Sequence, residues 1–225
     1  MTQVNTFLAG HGLVSRIFYS VIRRIIVLIC TVYFRLRIVG KKNIPKTGAF
    51  ILSPIHRSNV DTPIACAATT RRLRYMGKDS LWKIRPLGII LSALGGFPVT
   101  RGTADLEALK RCLAVLALGE PIVLFPEGTR QSGDTVQPLF DGAAYLAIKA
   151  GVPIIPVGIG GTQAVMPKGS KFIYPKKCWM IIGEPIYPPQ STLGHMPRSA
   201  TKELSSQLKQ SLQSLFDEAQ RRASN

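Results

Sequence analysis

After Gly40 the sequence alternates between short apolar runs rich in β-branched residues and longer stretches with helical spacing. The runs predict strands at residues 49–53, 73–76, 97–99, 122–125, 154–157 and 179–182. Helices are predicted at residues 59–70, 80–94, 104–118 and 142–150, followed by a final helix with Leu204, Leu208, Leu212, Leu215 and Phe216 at helical spacing. This alternation predicts an α/β fold with a single domain, whose central, largely parallel or mixed sheet is covered by helices on both faces.

The segment before this alternation is apolar, and all of its charges are positive. The first acidic residue is Asp61. The uncharged apolar run at 25–34 is too short for a spanning helix, which needs about 20 residues. On a helical projection the arginines fall on one side, opposite the large apolar residues; they are Arg16, Arg23, Arg24, Arg35 and Arg37. We therefore predict that residues 1–38 form an amphipathic helical segment on a membrane surface and that residues 39–225 form the main domain. The alternative is a helix packed on the domain's own core.

The overall composition indicates anionic partners and a reducing compartment. The formal net charge is +17, and the mean hydropathy of +0.17 is high for a soluble protein, which favours a lipid-facing surface or a lipid-sized cavity. The four cysteines lie far apart in apolar stretches, which indicates buried thiols in place of disulfides or a metal site. G-x-S-x-G, Walker A, G-x-G-x-x-G and H-E-x-x-H patterns do not occur in the sequence. We expect no metal and no cofactor.

One histidine follows a predicted strand directly. His56 comes after the run at 49–53, and Asp61 comes five residues later, where the next helix begins. Sites in open α/β sheets form beyond the carboxyl ends of strands. With His56 in the loop and Asp61 in the first helical turn, the carboxylate can reach back to one ring nitrogen and make the other a better base. Two alternatives remain: Ser58 as a nucleophile activated by His56, or a structural His–Asp pair without catalysis.

Two further strand ends carry groups that suit a phosphate. Arg101 and Gly102 follow the run at 97–99 and precede a helix, an arrangement that suits anion binding. The sequence Phe-Pro-Glu-Gly-Thr-Arg at 125–130 supplies Arg130, the Thr129 hydroxyl and backbone N–H groups. Glu127 in this block can hold an arginine in place.

These blocks, in this order and spacing, resemble the glycerophospholipid acyltransferase family, and in particular its bacterial 1-acylglycerol-3-phosphate acyltransferases. The resemblance covers roughly residues 39–188 and implies that His56 is a general base and that Asp61 orients it. It also implies a substrate-binding set of Lys78, Arg101, Gly102, Glu127, Gly128, Thr129 and Arg130. The sequence departs from the family pattern at Ile55, where Asn is common, and at Thr100, where an acidic residue is common.

The resemblance implies an enzyme of phospholipid biosynthesis that moves a fatty acyl group from acyl-CoA or acyl-carrier protein to 1-acylglycerol 3-phosphate and forms phosphatidic acid. Its expected location is the cytoplasmic face of the cell membrane, as a peripheral protein that binds an anionic surface and no nucleic acid. The oxyanion would be stabilised by N–H groups near Gly128 or Gly102. Residues 87–94 are one candidate wall of an acyl-chain groove, and ordinary core packing explains them equally well. The alternatives are acylation of glycerol 3-phosphate, another lysophospholipid or a glycolipid, or a non-catalytic basic protein that binds membranes or nucleic acid.

Overall fold

The computed structural model describes residues 12–99, 106–167, 169–189 and 198–225, except for the side chains of Lys78 and Arg198. The strands are β1 Arg37–Val39, β2 Ile51–Pro54, β3 Arg74–Lys78, β4 Gly96–Val99, β5 Ile122–Val123, β6 Ile154–Gly160 and β7 Trp179–Ile182. The α-helices are α1 Leu13–Tyr33, α2 Asp61–Ala65, α3 Arg85–Ala93, α4 Leu106–Ala117, α5 Gly142–Ala150, α6 Thr162–Val165 and α7 Arg198–Ser224. Short 3₁₀ helices occupy Lys41–Asn43 and Asp79–Lys83.

The strands form one mixed sheet in the order β1-β7-β6-β2-β5-β3-β4. The five adjacent strands β6, β2, β5, β3 and β4 are parallel to one another. Strand β7 pairs antiparallel with β6 and parallel with β1, so the β1–β7 edge runs in the opposite direction. Because five adjacent strands run the same way, their carboxyl ends lie at one edge of the sheet. The predicted α/β fold with a largely parallel, mixed sheet is confirmed.

Helices cover both faces of this sheet. Alternate side chains of a strand point to opposite faces. On β3, Met76 contacts Cys112 of α4, whereas the preceding Tyr75 lines a cavity with Tyr19 of α1 and Leu91 of α3. Helices α4, α5 and α7 pack together on the Met76 face, and α1 packs against α2 and α3 on the Tyr75 face.

Helix α7 lies unusually close to strand β6. A Cβ atom built on Gly158 would lie 2.3 Å from the carbonyl carbon of Leu215, and one on Gly160 would lie 2.3 Å from that of Ala219. Only glycine allows two backbones to approach this closely. The predicted final helix is confirmed, and it buries Leu204, Leu208, Leu212 and Phe216 in the core. The two glycines of β6 therefore serve packing in a stretch that lacks a dinucleotide-binding pattern.

Several elements differ from the prediction in their bounds. Strand β1 was not predicted, because its three residues follow the apolar N-terminal segment without a break in composition. Helix α2 ends at Ala65, well before residue 70. The predicted helix at 80–94 is a 3₁₀ helix followed by α3, which begins at Arg85 with Pro86 in its first turn.

Helix α1 presents its apolar stripe to solvent. Tyr19 and Cys30 are buried against the domain, whereas the large apolar residues on the opposite side are exposed; they are Val14, Ile17, Phe18, Val21, Ile25, Leu28, Ile29 and Val32. The Arg23 Nε group donates to the carbonyl oxygen of Cys66 at 3.0 Å, so this arginine faces the domain. Since α1 ends at Tyr33, Arg35 and Arg37 lie outside the cationic face predicted for it. Within the described ranges, no helix combines the length and apolarity needed to cross a bilayer.

Candidate active site

A loop of residues 55–60 joins the end of β2 to the start of α2 at the carboxyl edge of the sheet. Strands β5 and β6 flank β2 in parallel, so the segments that follow all three meet at this edge. The N–H of Ile55 donates to the carbonyl of Val157 at 3.1 Å and continues the pairing one residue beyond the strand. His56 is therefore held where the sheet ends.

His56 and Asp61 form a hydrogen-bonded pair. His56 Nδ1 lies 3.1 Å from Asp61 Oδ2, and the carboxylate is fully buried. The same Oδ2 atom accepts the backbone N–H groups of Arg57 and Ser58, each at 2.6 Å. Asp61 is the first residue of α2 and reaches back over the loop, as the spacing predicts. An ionised Asp61 accepts the Nδ1 proton, which leaves the lone pair of His56 on Nε2.

The imidazole ring of His56 rests on Phe125. The ring centroids are 4.1 Å apart and the planes are inclined by 26°. The side chain of His56 keeps 16% of its surface exposed. Its position is thus fixed by a hydrogen bond on one edge and a stacked ring on one face, while part of the ring remains open to a bound molecule.

A buried ion pair between Arg57 and Glu127 supports the His56 loop. Arg57 Nη1 lies 3.0 and 2.7 Å from the two carboxylate oxygens of Glu127, and both side chains are almost completely buried. Glu127 Oε2 also accepts the N–H of His56 at 3.2 Å, and Oε1 accepts the N–H of Gln137 at 3.0 Å. Because one carboxylate binds both Arg57 and the backbone of His56, the 125–130 block fixes the loop directly.

Arg57 also makes contacts outside its ion pair with Glu127. Its Nε and Nη2 groups donate to the carbonyls of Gly133 and Thr135, each at 3.1 Å. Its guanidinium carbon lies 4.9 Å from the ring centroid of Phe216 on α7. Glu127 does hold an arginine in place, and that arginine is Arg57. This role of Arg57 was not predicted from the sequence. The available signal was an acidic residue and a basic residue that each follow a buried strand of the same sheet.

The end of the 125–130 block is an exposed turn beside His56. Gly128 has a φ of +71°, and a Cβ atom there would lie 2.6 Å from the ring of Phe140, so both the backbone and the available space require glycine. The N–H groups of Gly128 and Thr129 donate to the carbonyls of Phe125 and Glu127 at 3.0 and 2.8 Å. The Gly128 N–H predicted for the oxyanion is therefore already in use. Thr129 is exposed and Arg130 is half-buried.

Of the predicted phosphate-binding residues, Lys78 is described by its backbone, and Arg101 and Gly102 are not described. Lys78 is the last residue of β3 and pairs in register with Val99, the last residue of β4. Arg101 and Gly102 lie outside the described residues, as does Thr100. The described parts of β3 and β4 thus lead to the same edge of the sheet as His56.

Ser58 and the cysteines are poorly suited to act as nucleophiles. The Ser58 hydroxyl is buried and donates to the carbonyl of Met166 at 2.9 Å. All four cysteines are buried and unpaired, as predicted. Burial raises the pKa of Cys30, Cys112 and Cys178 to about 12, and that of Cys66 to about 11, so these thiols stay protonated at neutral pH.

An apolar cavity of about 210 Å³ lies between α1, α2 and α3. Thr62 and Pro63 from the first turn of α2 line it, so it begins one residue beyond Asp61. Its wall also includes Tyr19, Arg23, Ile26, Cys66, Tyr75, Leu91, Leu94 and Gly96. Two residues of the predicted acyl-chain wall at 87–94 therefore border an apolar space close to the His56 loop.

Comparison with known proteins gives consistent matches. A family model described as Acyltransferase matches residues 35–160. The chain is 29% identical over 163 residues to a 1-acyl-sn-glycerol-3-phosphate acyltransferase of Bacillus subtilis, covering 72% of this chain and 77% of that protein. It is 29% identical over 159 residues to a chloroplastic 1-acyl-sn-glycerol-3-phosphate acyltransferase of Brassica napus, covering 69% of this chain but 46% of the plant protein.

The fold is similar to that of a solved structure. The crystal structure of the 1-acyl-sn-glycerophosphate (LPA) acyltransferase from Thermotoga maritima matches with a TM-score of 0.68 and 25% sequence identity. The match covers 89% of this chain and 86% of the other.

Proposed function

Since the chain belongs to the Acyltransferase family, we propose that it transfers a fatty acyl group from a thioester to the free hydroxyl of 1-acyl-sn-glycerol 3-phosphate, which yields phosphatidic acid. The observation that carries this proposal is the arrangement around His56. An imidazole is oriented by a buried carboxylate, stacked on Phe125 and joined through Glu127 to the 125–130 block.

In the proposed reaction, His56 Nε2 takes the proton of the acceptor hydroxyl while its oxygen attacks the thioester carbonyl. The C–O bond forms, the C–S bond breaks, and the imidazolium returns the proton to the departing thiolate. Asp61 holds the tautomer and stabilises the imidazolium. General-base help of this kind contributes about 10²–10⁴-fold to the rate.

The phosphate of the acceptor is proposed to bind at the same edge of the sheet. Arg130 supplies a guanidinium in the segment whose next residue, Gln131, donates its N–H to the carbonyl of His56 at 2.9 Å. Lys78, Arg101 and Gly102 complete the proposed phosphate contacts. With the phosphate held there, the hydroxyl is positioned near Nε2, and such positioning lowers the entropic part of the barrier.

The remaining members of the proposed substrate set have distinct roles. Gly128 leaves room for the ring of Phe140, and the hydroxyl of the exposed Thr129 accepts a hydrogen bond from Gln131 Nε2 at 3.0 Å. Glu127 is 2% exposed and its oxygens bind Arg57 and backbone N–H groups, so we assign it to positioning the loop. The apolar cavity beside α2 is the proposed site for an acyl chain.

Helix α1 is proposed to hold the enzyme on the membrane where its lipid substrates lie. Its exposed apolar stripe would enter the lipid interface, and the positive charge of the N-terminal segment would favour an anionic surface. We accordingly propose residues 1–38, of which 12–38 are described, as the membrane-associating segment and residues 39–225 as the acyltransferase domain. The proposed location is the cytoplasmic face of the cell membrane. The proposed donor is acyl-CoA or acyl-carrier protein, and both are anionic, as the basic surface favours.

The test is an activity matrix with the purified full-length protein. Acyl-CoA and acyl-carrier protein are each paired with 1-acylglycerol 3-phosphate, glycerol 3-phosphate and 1-acylglycerophosphocholine. We expect 1-acylglycerol 3-phosphate to give the highest kcat/KM with at least one donor. A preference for glycerol 3-phosphate or the choline lipid would replace the proposed acceptor, and turnover by a His56→Ala variant at the wild-type rate would remove the proposed base.

A further inference from the structure

A second cavity, of about 390 Å³, lies at the edge of the sheet opposite His56. Residues 70–72 line it just before β3 begins, and Glu120 and Pro121 line it just before β5 begins. Because β3, β5 and β2 run in the same direction, this cavity is at their amino ends, whereas His56 follows the carboxyl end of β2. The other wall is α1, which contributes Arg16, Tyr19 and Ser20.

The lining of this cavity is strongly cationic. Among the described residues that line it, Arg16, Arg71 and Arg72 are positive and Glu120 is negative, so three positive charges and one negative charge give a net charge of +2. Glu120 also forms an ion pair with the buried Arg74, which adds a further positive charge just behind the wall. A volume of this size lies within the range of ligand pockets, about 300–1,000 Å³.

The two arginines on the sheet side are held in fixed positions. Arg71 donates to the carbonyls of Pro45 and Gly119, each at 3.1 Å, and its guanidinium lies 5.3 Å from the ring centroid of Phe50. Arg72 donates to the carbonyls of Ser92 and Ala93 at 3.3 and 2.6 Å. These carbonyls orient the guanidinium groups, and the Glu120 carboxylate offsets part of their charge.

The local environment favours an added anion. Burial lowers the pKa of Arg71 and of Arg72, and the charges of Arg74 and Arg16 lower that of Arg72 further, although the carboxylate of Glu120 acts in the opposite direction on both. An anion bound among these groups would offset both the burial of the cations and their mutual repulsion. Preorganised guanidinium groups are well suited to phosphate, because their planar donors match its oxygens.

The cavity adjoins the exposed apolar stripe of α1. Leu13 and Ile17 are one helical turn apart and are 72% and 56% exposed. Arg16 and Ser20 are likewise four residues apart, on the neighbouring strip of the helix that lines the cavity. A molecule with a phosphate in the cavity could therefore lay attached hydrocarbon against Leu13 and Ile17, which a free phosphate ion could not do.

We propose that this cavity binds the phosphate headgroup of an anionic glycerophospholipid, whose acyl chains lie along Leu13 and Ile17. The site is separate from the His56 loop and gives the enzyme a specific phospholipid contact at the far edge of its sheet. The proposal does not depend on acyl transfer, because none of its residues belongs to the proposed catalytic edge.

The test compares Arg16→Glu with Arg24→Glu in the full-length protein. Both changes reverse one exposed charge on α1, but only Arg16 lines the cavity. Binding of a soluble short-chain phosphatidic acid, below its critical micelle concentration, is measured by isothermal titration calorimetry. We expect Arg16→Glu to weaken one binding event by at least about tenfold, since it loses a charge-assisted contact and adds repulsion. Arg24→Glu should change that event by about twofold or less.

A second arm separates lipid from free phosphate. Inorganic phosphate is titrated at matched ionic strength, and we expect it to bind at least about tenfold more weakly than the short-chain lipid, because it lacks the apolar contact. Equal affinities for the two would make free phosphate the ligand and overturn the lipid assignment. Equal responses of Arg16→Glu and Arg24→Glu, whether both lose or both keep the event, would mean that the cavity is not the site.

Discussion

The His56 loop and the surroundings of α1 differ in how their charged side chains are paired. At the loop, Asp61 faces His56 and Glu127 faces Arg57, and these contacts are buried. Around α1, arginines outnumber carboxylates and a long apolar stripe faces solvent. In the first region each of these charged or titratable groups has its partner within the chain, as a preorganised catalytic site requires. In the second region no described element covers the apolar stripe, which is why lipid binding is the role proposed for it.

Replacing His56 by Ala is the sharpest way to separate the two regions. We expect kcat to fall by about 10³-fold, because the proposed general base is lost, while binding to anionic vesicles stays at the wild-type level. Steady-state acyl transfer and vesicle flotation measure the two effects. Ser58→Ala is the matched control in the same loop and should keep activity within about threefold, since its hydroxyl binds only the Met166 carbonyl. A large loss of turnover in Ser58→Ala alone would instead support Ser58 as the nucleophile.

Glu127→Gln tests whether the stability of the protein depends on the buried ion pair between Arg57 and Glu127. The change keeps the shape of the side chain but leaves Arg57 buried without a counter-charge, so the free energy of unfolding should fall by about 3–5 kcal/mol. Chemical denaturation gives this value. Glu218→Gln, which breaks surface pairs with Arg221 and Arg222 on α7, is the control and should cost about 1 kcal/mol or less. Similar losses for both variants would mean that the buried ion pair contributes no more to the free energy of unfolding than the surface pairs do.

Gly160→Ala tests the close packing of α7 on β6, on the face of the sheet opposite α1. Its new Cβ atom would lie 2.3 Å from the backbone of Ala219, so α7 must move, and we expect a loss of about 1–3 kcal/mol in the free energy of unfolding. Gly142→Ala is the control, because nothing lies within 4 Å of a Cβ atom at the start of α5. That variant should be neutral or more stable. An unchanged melting temperature for Gly160→Ala would contradict the close approach of α7.

Leu91→Phe has the smallest expected effect and tests the apolar cavity beneath α1. The larger ring would take up part of the 210 Å³ space, so kcat/KM for long-chain relative to short-chain acyl substrates should fall by about fivefold. Competition between substrates of two chain lengths measures this ratio. Ile89→Phe lies on the same helix but is 65% exposed and does not line the cavity, so it should leave the ratio unchanged. An unchanged ratio in Leu91→Phe would remove this cavity as the acyl-chain site.

The sequence predicted those features that depend on short-range pattern. The β-branched runs gave the main strands, and the five-residue spacing from His56 to Asp61 predicted their contact. It did not predict that Arg57 and Glu127, which are 70 residues apart, would share one buried ion pair, because that depends on which strands become neighbours in the sheet. It also gave α2 too great a length, since helix propensity alone does not stop at Ala65.

The sequence also did not predict that the side chain of Arg23 faces the domain, and the reason is similar. A helical projection groups Arg23 with Arg16 and Arg24, but it cannot show which part of the helix meets the domain. In the structure, Arg23 lies on the packing side and binds the Cys66 carbonyl at the end of α2, where it favours the negative end of that short helix.

The contact between Phe216 and Arg57 has a consequence for synthesis of the protein on the ribosome. The His56–Asp61 contact spans five residues, but the loop that carries it is also held by Glu127 and by Val157 of β6, which are translated later. Phe216 belongs to α7 and is translated long after it, so a nascent chain that has emerged only as far as α6 lacks the aromatic cover over Arg57. We therefore expect turnover to begin only when translation of α7 is complete, which would keep unfinished chains from consuming lipid.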